Sequence, residues 1–285
     1  MRRRAVIEWT VRRVAVGFGG AGVAAQICYP LTEGPLRDLV TVAVVVLLAS
    51  ACVTHAVATR GARWATGLAL ITVGGGLLAE YIGTATGIPF GSYEYTTDGA
   101  LGWELGPVPL VIGPAWTFGT YLAWCSAQAV LAEPRRGAAT VLVAAWGLAS
   151  WDLYLDPQMV ADGRWSWTGT GPGLPGVPDV PLSNYAGWLL VALALCAGVH
   201  RMDRALGSPP PEHDVLPRVL FCWTWLGSAL AHAAFLGLPA SAGYGLAGMG
   251  LIGIPVLATL LGRPRLPGPS RRGLQVRPEQ PEPTR

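Results

Sequence analysis

The stretch LLAEYIGTATGIPFGSYEY, residues 77–95, runs out of an apolar segment into a loop of glycine, proline and aromatic residues. Glu80 stands where the apolar run gives out. A carboxyl group at the centre of a bilayer helix costs about 2.5–3.5 kcal/mol, and less near the interface, so it is kept for a purpose. The rings of Tyr81, Phe90, Tyr93 and Tyr95 beside it are of the kind that cover a flat apolar molecule or stabilise a cation. The competing reading is an interfacial aromatic belt around a snorkelling glutamate.

Working outward, the whole chain is apolar in the same way. Of its 285 residues, 52% are hydrophobic and 13% charged, with a mean hydropathy of +0.42. A soluble domain carries about 25% charged residues. Apolar runs near 20 residues, enough to cross the hydrocarbon, fall at 14–31, 36–58, 64–81, 108–131, 137–155, 184–201, 216–236 and 243–261. The sequence therefore predicts an all-α, polytopic transmembrane bundle of about eight spans, with two aromatic, Gly/Pro-rich loops on one face. Residues 1–262 read as one membrane domain and 263–285 as a disordered Pro/Arg-rich tail. The triplet Gly74–Gly76 invites a kink or a close helix approach.

Charge supports the count. Eight spans put Arg2, Arg3, Arg4, Arg12, Arg13, Arg60, Arg63, Arg135, Arg136, Arg201, Arg204, Arg218 and the tail arginines on one side, and only Arg37 and Arg164 on the other. By the positive-inside rule both termini face the cytoplasm and both long loops face out, in a multi-pass protein of the cell membrane. The net charge of +3 is spread between apolar runs rather than gathered in a patch, which excludes a nucleic-acid partner. The five cysteines lie in apolar runs without C-x-x-C spacing. His55, His200, His213 and His232 are scattered with no ligand spacing, so no metal is expected, and no phosphate loop or G-x-S-x-G motif implies a cofactor.

The second loop opens on SWDLYLDPQMVADGRWSW, residues 150–167. Asp152 and Asp156, four apart, share a helix face until Pro157 stops the helix. Trp151, Tyr154, Trp165 and Trp167 repeat the aromatic character of the first loop, and PLSNYAGW (181–188) closes the second. Glu80 and the two aspartates thus fall at a similar depth on one side.

Together EYIGTATGIPFGSYEY, VPLVIGPAW, WDLYLDPQMV with WSW, and PLSNYAGW resemble the membrane carotenoid-biosynthesis hydratase family over about Gly74–Trp188. The resemblance implies addition of water to the terminal double bond of an acyclic carotenoid, with the lipid bilayer and other carotenoid-biosynthesis enzymes as partners. The residues suit that chemistry, which needs a proton donor, cover for a tertiary carbocation and an oriented water. Glu80, Asp152 and Asp156 are the candidate acids, with Asp152 as donor and Glu80 as its partner. Tyr81, Tyr93, Trp116, Trp151 and Trp165 are candidates to line the polyene and face the cation, and Asn184 to position water. Two rivals use the same residues differently. A prenyltransferase would hold magnesium on Asp152 and Asp156, but that chemistry wants a second acidic cluster and basic residues facing the phosphates, and the outer side offers only Arg37 and Arg164. A carotenoid-binding or transport protein would use the aromatic groove without chemistry.

Overall fold

The computed structural model describes residues 2–96, 98–131, 137–169, 171–207 and 211–262. Long helices stand at all the expected places: α1 (Arg2–Cys28), α2 (Gly34–Arg60), α3 (Ala62–Thr86), α4 (Ile112–Val130), α5 (Ala138–Ala161), α6 (Leu182–Leu206), α7 (Val215–Ala234) and α8 (Pro239–Leu260). The fold is an all-α membrane bundle. The expected tail from Arg263, and Arg135 and Arg136, lie outside the described residues.

Among the described residues, six helices are long and apolar enough to cross a membrane, α1 from Thr10 onward together with α2, α3, α5, α6 and α8. The other two fall short for different reasons. From Ala115 to Val130 every residue of α4 is buried, and the helix packs against α2, α3, α5, α6, α7 and α8. A helix whose surroundings are protein needs no lipid-facing leucines, and α4 carries Trp116, Tyr121, Trp124 and Gln128 instead. The buried polar members of α7 are Arg218, Thr224 and His232, all turned inward.

Two helices outrun their apolar runs. α3 passes through a π-turn at Leu70–Gly74 and continues to Thr86. There Gly87, at φ +74°, closes it with an N–H to the Gly83 carbonyl at 2.7 Å. Glu80 therefore sits inside a helix, 5% exposed, rather than at its end. The glycine triplet is used for close approach: a Cβ on Gly76 would lie 2.5 Å from the Trp116 indole.

α5 corrects the expectation that Pro157 stops the helix, for it runs on to Ala161. Proline removes the N–H that would bond the Leu153 carbonyl. The Ser241 hydroxyl of α8 donates to that carbonyl at 2.7 Å, so the freed acceptor is satisfied across a helix interface. His232 Nδ1 meets the same hydroxyl at 2.9 Å.

The two long loops are not irregular. β1 (Tyr93–Tyr95) pairs antiparallel with β4 (Trp165–Trp167), with Tyr93 opposite Trp167 and Tyr95 opposite Trp165. β2 (Glu104–Leu105) and β3 (Val108–Pro109) form one hairpin, and β5 (Gly173–Leu174) and β6 (Val177–Pro181) another. Ion pairs brace this loop end, Arg37–Asp162 at 2.6 Å and Arg164–Asp38 at 3.0 Å. At the opposite end Arg60 is not a surface charge. It lies fully buried on Asp214, with Nη2–Oδ2 2.7 Å and Nη1–Oδ1 2.8 Å, and donates from Nη1 to the Tyr121 hydroxyl at 2.7 Å.

Candidate active site

The β1–β4 ribbon folds the first loop down over the ends of α3 and α5. Its side chains alternate, so Tyr93 and Tyr95 point inward while Glu94 points out. Both tyrosines reach Glu80: Tyr93 donates to Oε2 at 2.5 Å and Tyr95 to the same oxygen at 2.9 Å. Trp116 of α4 donates to Oε1 at 3.1 Å. Three donors and no acceptor form the partner set of an ionised carboxylate. Burial, reinforced by the Glu80 charge, pushes both ribbon phenols up, so they remain protonated donors.

The second carboxyl group is a pair. Asn184, in the first turn of α6, donates from Nδ2 to Asp152 Oδ2 at 2.8 Å and also to Asp156 Oδ2. Both carboxyls thus converge on one amide nitrogen. Two like charges held that close in a buried setting disfavour double ionisation, so the pair favours keeping one proton. Trp165 donates to Asp156 Oδ1 at 3.0 Å, whereas Asp152 Oδ1 is buried without a hydrogen-bond donor.

Glu80 and Asp156 face a common recess of about 30 Å³, room for a water molecule. Phe90, Tyr93, Tyr95, Trp116, Trp165 and Asn184 complete it, so most of the residues singled out in the sequence do come together. Asp152 stands behind Asp156, 0% exposed and off the recess wall. Trp151 and Tyr154 line a second, larger cavity of about 280 Å³. Tyr154 donates to the Trp225 carbonyl at 3.1 Å. Tyr81 is not brought in: it is 51% exposed on the far side of α3, against Gly106.

Three site residues escaped the sequence reading. Trp188 stacks on Trp116 with centroids 4.2 Å apart and lines the recess. Trp167, noted in the sequence only for its aromatic character, also lines it and donates to the Phe90 carbonyl at 3.0 Å. Tyr185, beside Asn184, buries its hydroxyl without a partner in the electrostatic range of both aspartates. The W-x-W alternation could have flagged Trp167; nothing local marks Trp188. Among the described residues no three His, Cys, Asp or Glu side chains are grouped to hold a metal ion.

A bundle of long apolar helices that buries three carboxyls beside an aromatic recess at one end is that of a multi-pass membrane protein. The family described as carotenoid biosynthesis protein matches residues 40–263, and the chain belongs to that family. It is also 31% identical over 193 residues to the bisanhydrobacterioruberin hydratase of Haloarcula japonica. That alignment covers 65% of this chain and 63% of the relative, so the chain spans less than two thirds of the relative's length. No solved structure matches.

Proposed function

We propose that this protein is a carotenoid hydratase that adds water across the terminal double bond of an acyclic carotenoid end. One observation carries the reading: Asp156, joined to Asp152 through Asn184, and a donor-ringed Glu80 face one aromatic recess inside a membrane bundle. The relative's name as a hydratase agrees with it.

In this scheme Asp156, the member of the pair that faces the recess, transfers its proton to the less substituted alkene carbon. The π electrons form the new C–H bond and leave a tertiary cation on the neighbouring carbon. Glu80 and the faces of Trp116 and Trp188 stabilise that cation. Water in the recess adds through its lone pair, and the proton it sheds returns to the aspartate pair, giving a tertiary alcohol. Asp152 acts through Asp156, sharing its proton, and Asn184 fixes the pair. The sum is alkene plus water, with no electron or group transfer to route through a cofactor.

The protein is placed in the cell membrane with both termini cytoplasmic and the recess toward the outer face. The test is expression of the full chain in a host that makes an acyclic carotenoid, followed by mass analysis of the pigments. A pigment heavier by one water is expected, in membranes treated with chelator as well as without. Loss of activity in chelator, restored by magnesium, would favour prenyl transfer on Asp152 and Asp156 instead.

A further inference from the structure

The larger cavity is not a separate feature of the bundle. Ile112, Ala115, Leu155 and Trp165 line both it and the carboxyl recess, so the two spaces lie on opposite sides of one thin wall. Resting on the hydratase reading, we propose that this cavity holds the polyene body of the substrate, which enters sideways from the lipid through a mouth between the loop ends of α1 and α7.

The mouth is visible as residues that line the cavity and are exposed at once. On the α1 side these are Ile27, 50% exposed, and Leu31, 66%. On the α7 side they are Leu230, 62%, and Phe235, 55%. Large apolar side chains on the outside of a membrane bundle meet lipid, so the opening faces hydrocarbon.

Behind the mouth, α7 turns Thr224, Gly227, Ser228 and Ala231 to the cavity, at i, i+3, i+4 and i+7 on one face. Their small side chains leave a slot, and α2 forms its other wall with Thr41, Val44 and Val45. Phe118 and Trp151, ring centroids 4.9 Å apart with planes tilted by 60°, offer two aromatic rings to a conjugated chain. The water side is fastened shut: the Tyr29 hydroxyl at the cavity rim donates to Asp162, which Arg37 also grips at 2.6 Å. A stiff hydrocarbon suits an apolar slot that is open to lipid and shares a wall with the carboxyl recess. A water-soluble substrate would need the opposite arrangement.

The test measures pigment retention separately from chemistry. The full chain and its variants are expressed in a host that makes an acyclic carotenoid and purified in detergent, and polyene absorbance per protein is read beside hydrated product. Ser228→Trp, which fills the slot, is expected to lower both by about tenfold. Leu251→Trp, on the lipid face of α8 (67% exposed), should change neither. Asp156→Asn should keep the pigment and lose the product. Should Ser228→Trp aggregate on size exclusion, two further measurements decide. Ala231→Leu should lower pigment retention about threefold. Ser228→Cys, in a Cys28→Ser background, should react with a membrane-permeant maleimide several-fold more slowly in membranes that contain pigment. Wild-type retention in a folded Ser228→Trp protein, or in Ala231→Leu with equal labelling rates, overturns the cavity proposal while leaving the hydratase reading intact. Pigment held by the wild type without hydration, and lost on Ser228→Trp, overturns the hydratase reading and leaves the cavity standing.

Discussion

Trp165 donates its indole N–H to Asp156 Oδ1 at 3.0 Å, a bond from the β1–β4 ribbon into the core of α5. It holds one oxygen of Asp156 while Asn184 holds the other, and so fixes the direction in which the carboxyl faces the recess. The same ribbon carries Tyr93 and Tyr95 to Glu80. The loop segments that look least structured in the sequence therefore set the geometry of Glu80 and Asp156.

Trp165→Phe tests that orientation. The ring is retained and only the donor is lost. A hydrogen bond to a charged or proton-sharing carboxyl is worth about 1.5–3 kcal/mol, so hydrated product per unit of membrane protein should fall by roughly tenfold or more. Pigment retention should fall less than product, because Trp165 also contributes to the wall of the larger cavity. Trp103→Phe, at an 86% exposed loop position, is the silent control.

Glu80→Gln replaces an acceptor-only group with one whose amide nitrogen confronts a donor. Tyr93, Tyr95 and Trp116 all point hydrogens at this carboxylate, so the amide forces at least one tyrosine hydroxyl to turn from donor to acceptor and removes the negative charge. Turnover is expected to fall by about 10²-fold, within the range ascribed to electrostatic stabilisation. The melting temperature of the detergent-solubilised protein should fall too. Tyr95→Phe removes a single donor and should cost less on both measures.

The Arg60–Asp214 pair should matter for stability and not for chemistry. Both side chains are fully buried at the end of the bundle away from the recess. Removing one partner of a buried pair costs about 3–5 kcal/mol, because the other charge is left uncompensated, whereas apolar replacement of both is often neutral. Arg60→Met should lower the melting temperature sharply, and Arg60→Met with Asp214→Leu should recover much of it. Product formed per folded molecule is expected to stay near wild type in the double variant.

Membrane orientation is checked with reporter fusions. Fusions after Arg60 or Arg204 should report the cytoplasm, and fusions within Gly99–Gly102 the outer side. A cytoplasmic signal from the Gly99–Gly102 loop would contradict the proposed topology.

The helices were legible in the sequence because burial in lipid and burial in protein both demand long apolar runs. Their ends were less so. Pro157 reads as a stop, and the reason it is not one, the Ser241 hydroxyl, lies on a helix more than 80 residues away. The carboxyl cluster was legible from the i, i+4 spacing of Asp152 and Asp156, but the facing of its neighbours was not. Tyr81 follows Glu80 directly, and successive helix positions point about 100° apart, so Tyr81 faces outward when Glu80 faces in. Tyr154 lies between the aspartates and by the same geometry turns away from them, toward Trp225 and the larger cavity. The ribbon was written in the alternation YEY and WSW, a period-2 pattern too short to stand out from aromatic loops.

The central claim is that the aspartate pair supplies the proton, with Asp156 as the group that delivers it. Asp156→Asn keeps the size of the side chain and a partner for Trp165 but removes the transferable proton. The most direct measurement is mass analysis of pigments from hosts expressing wild type and Asp156→Asn at matched membrane levels. Wild type should yield a carotenoid heavier by one water. The variant should yield it at least 10²-fold more slowly, as expected for loss of a general acid, while still retaining the unreacted pigment. A near wild-type amount of hydrated carotenoid from Asp156→Asn would contradict the account.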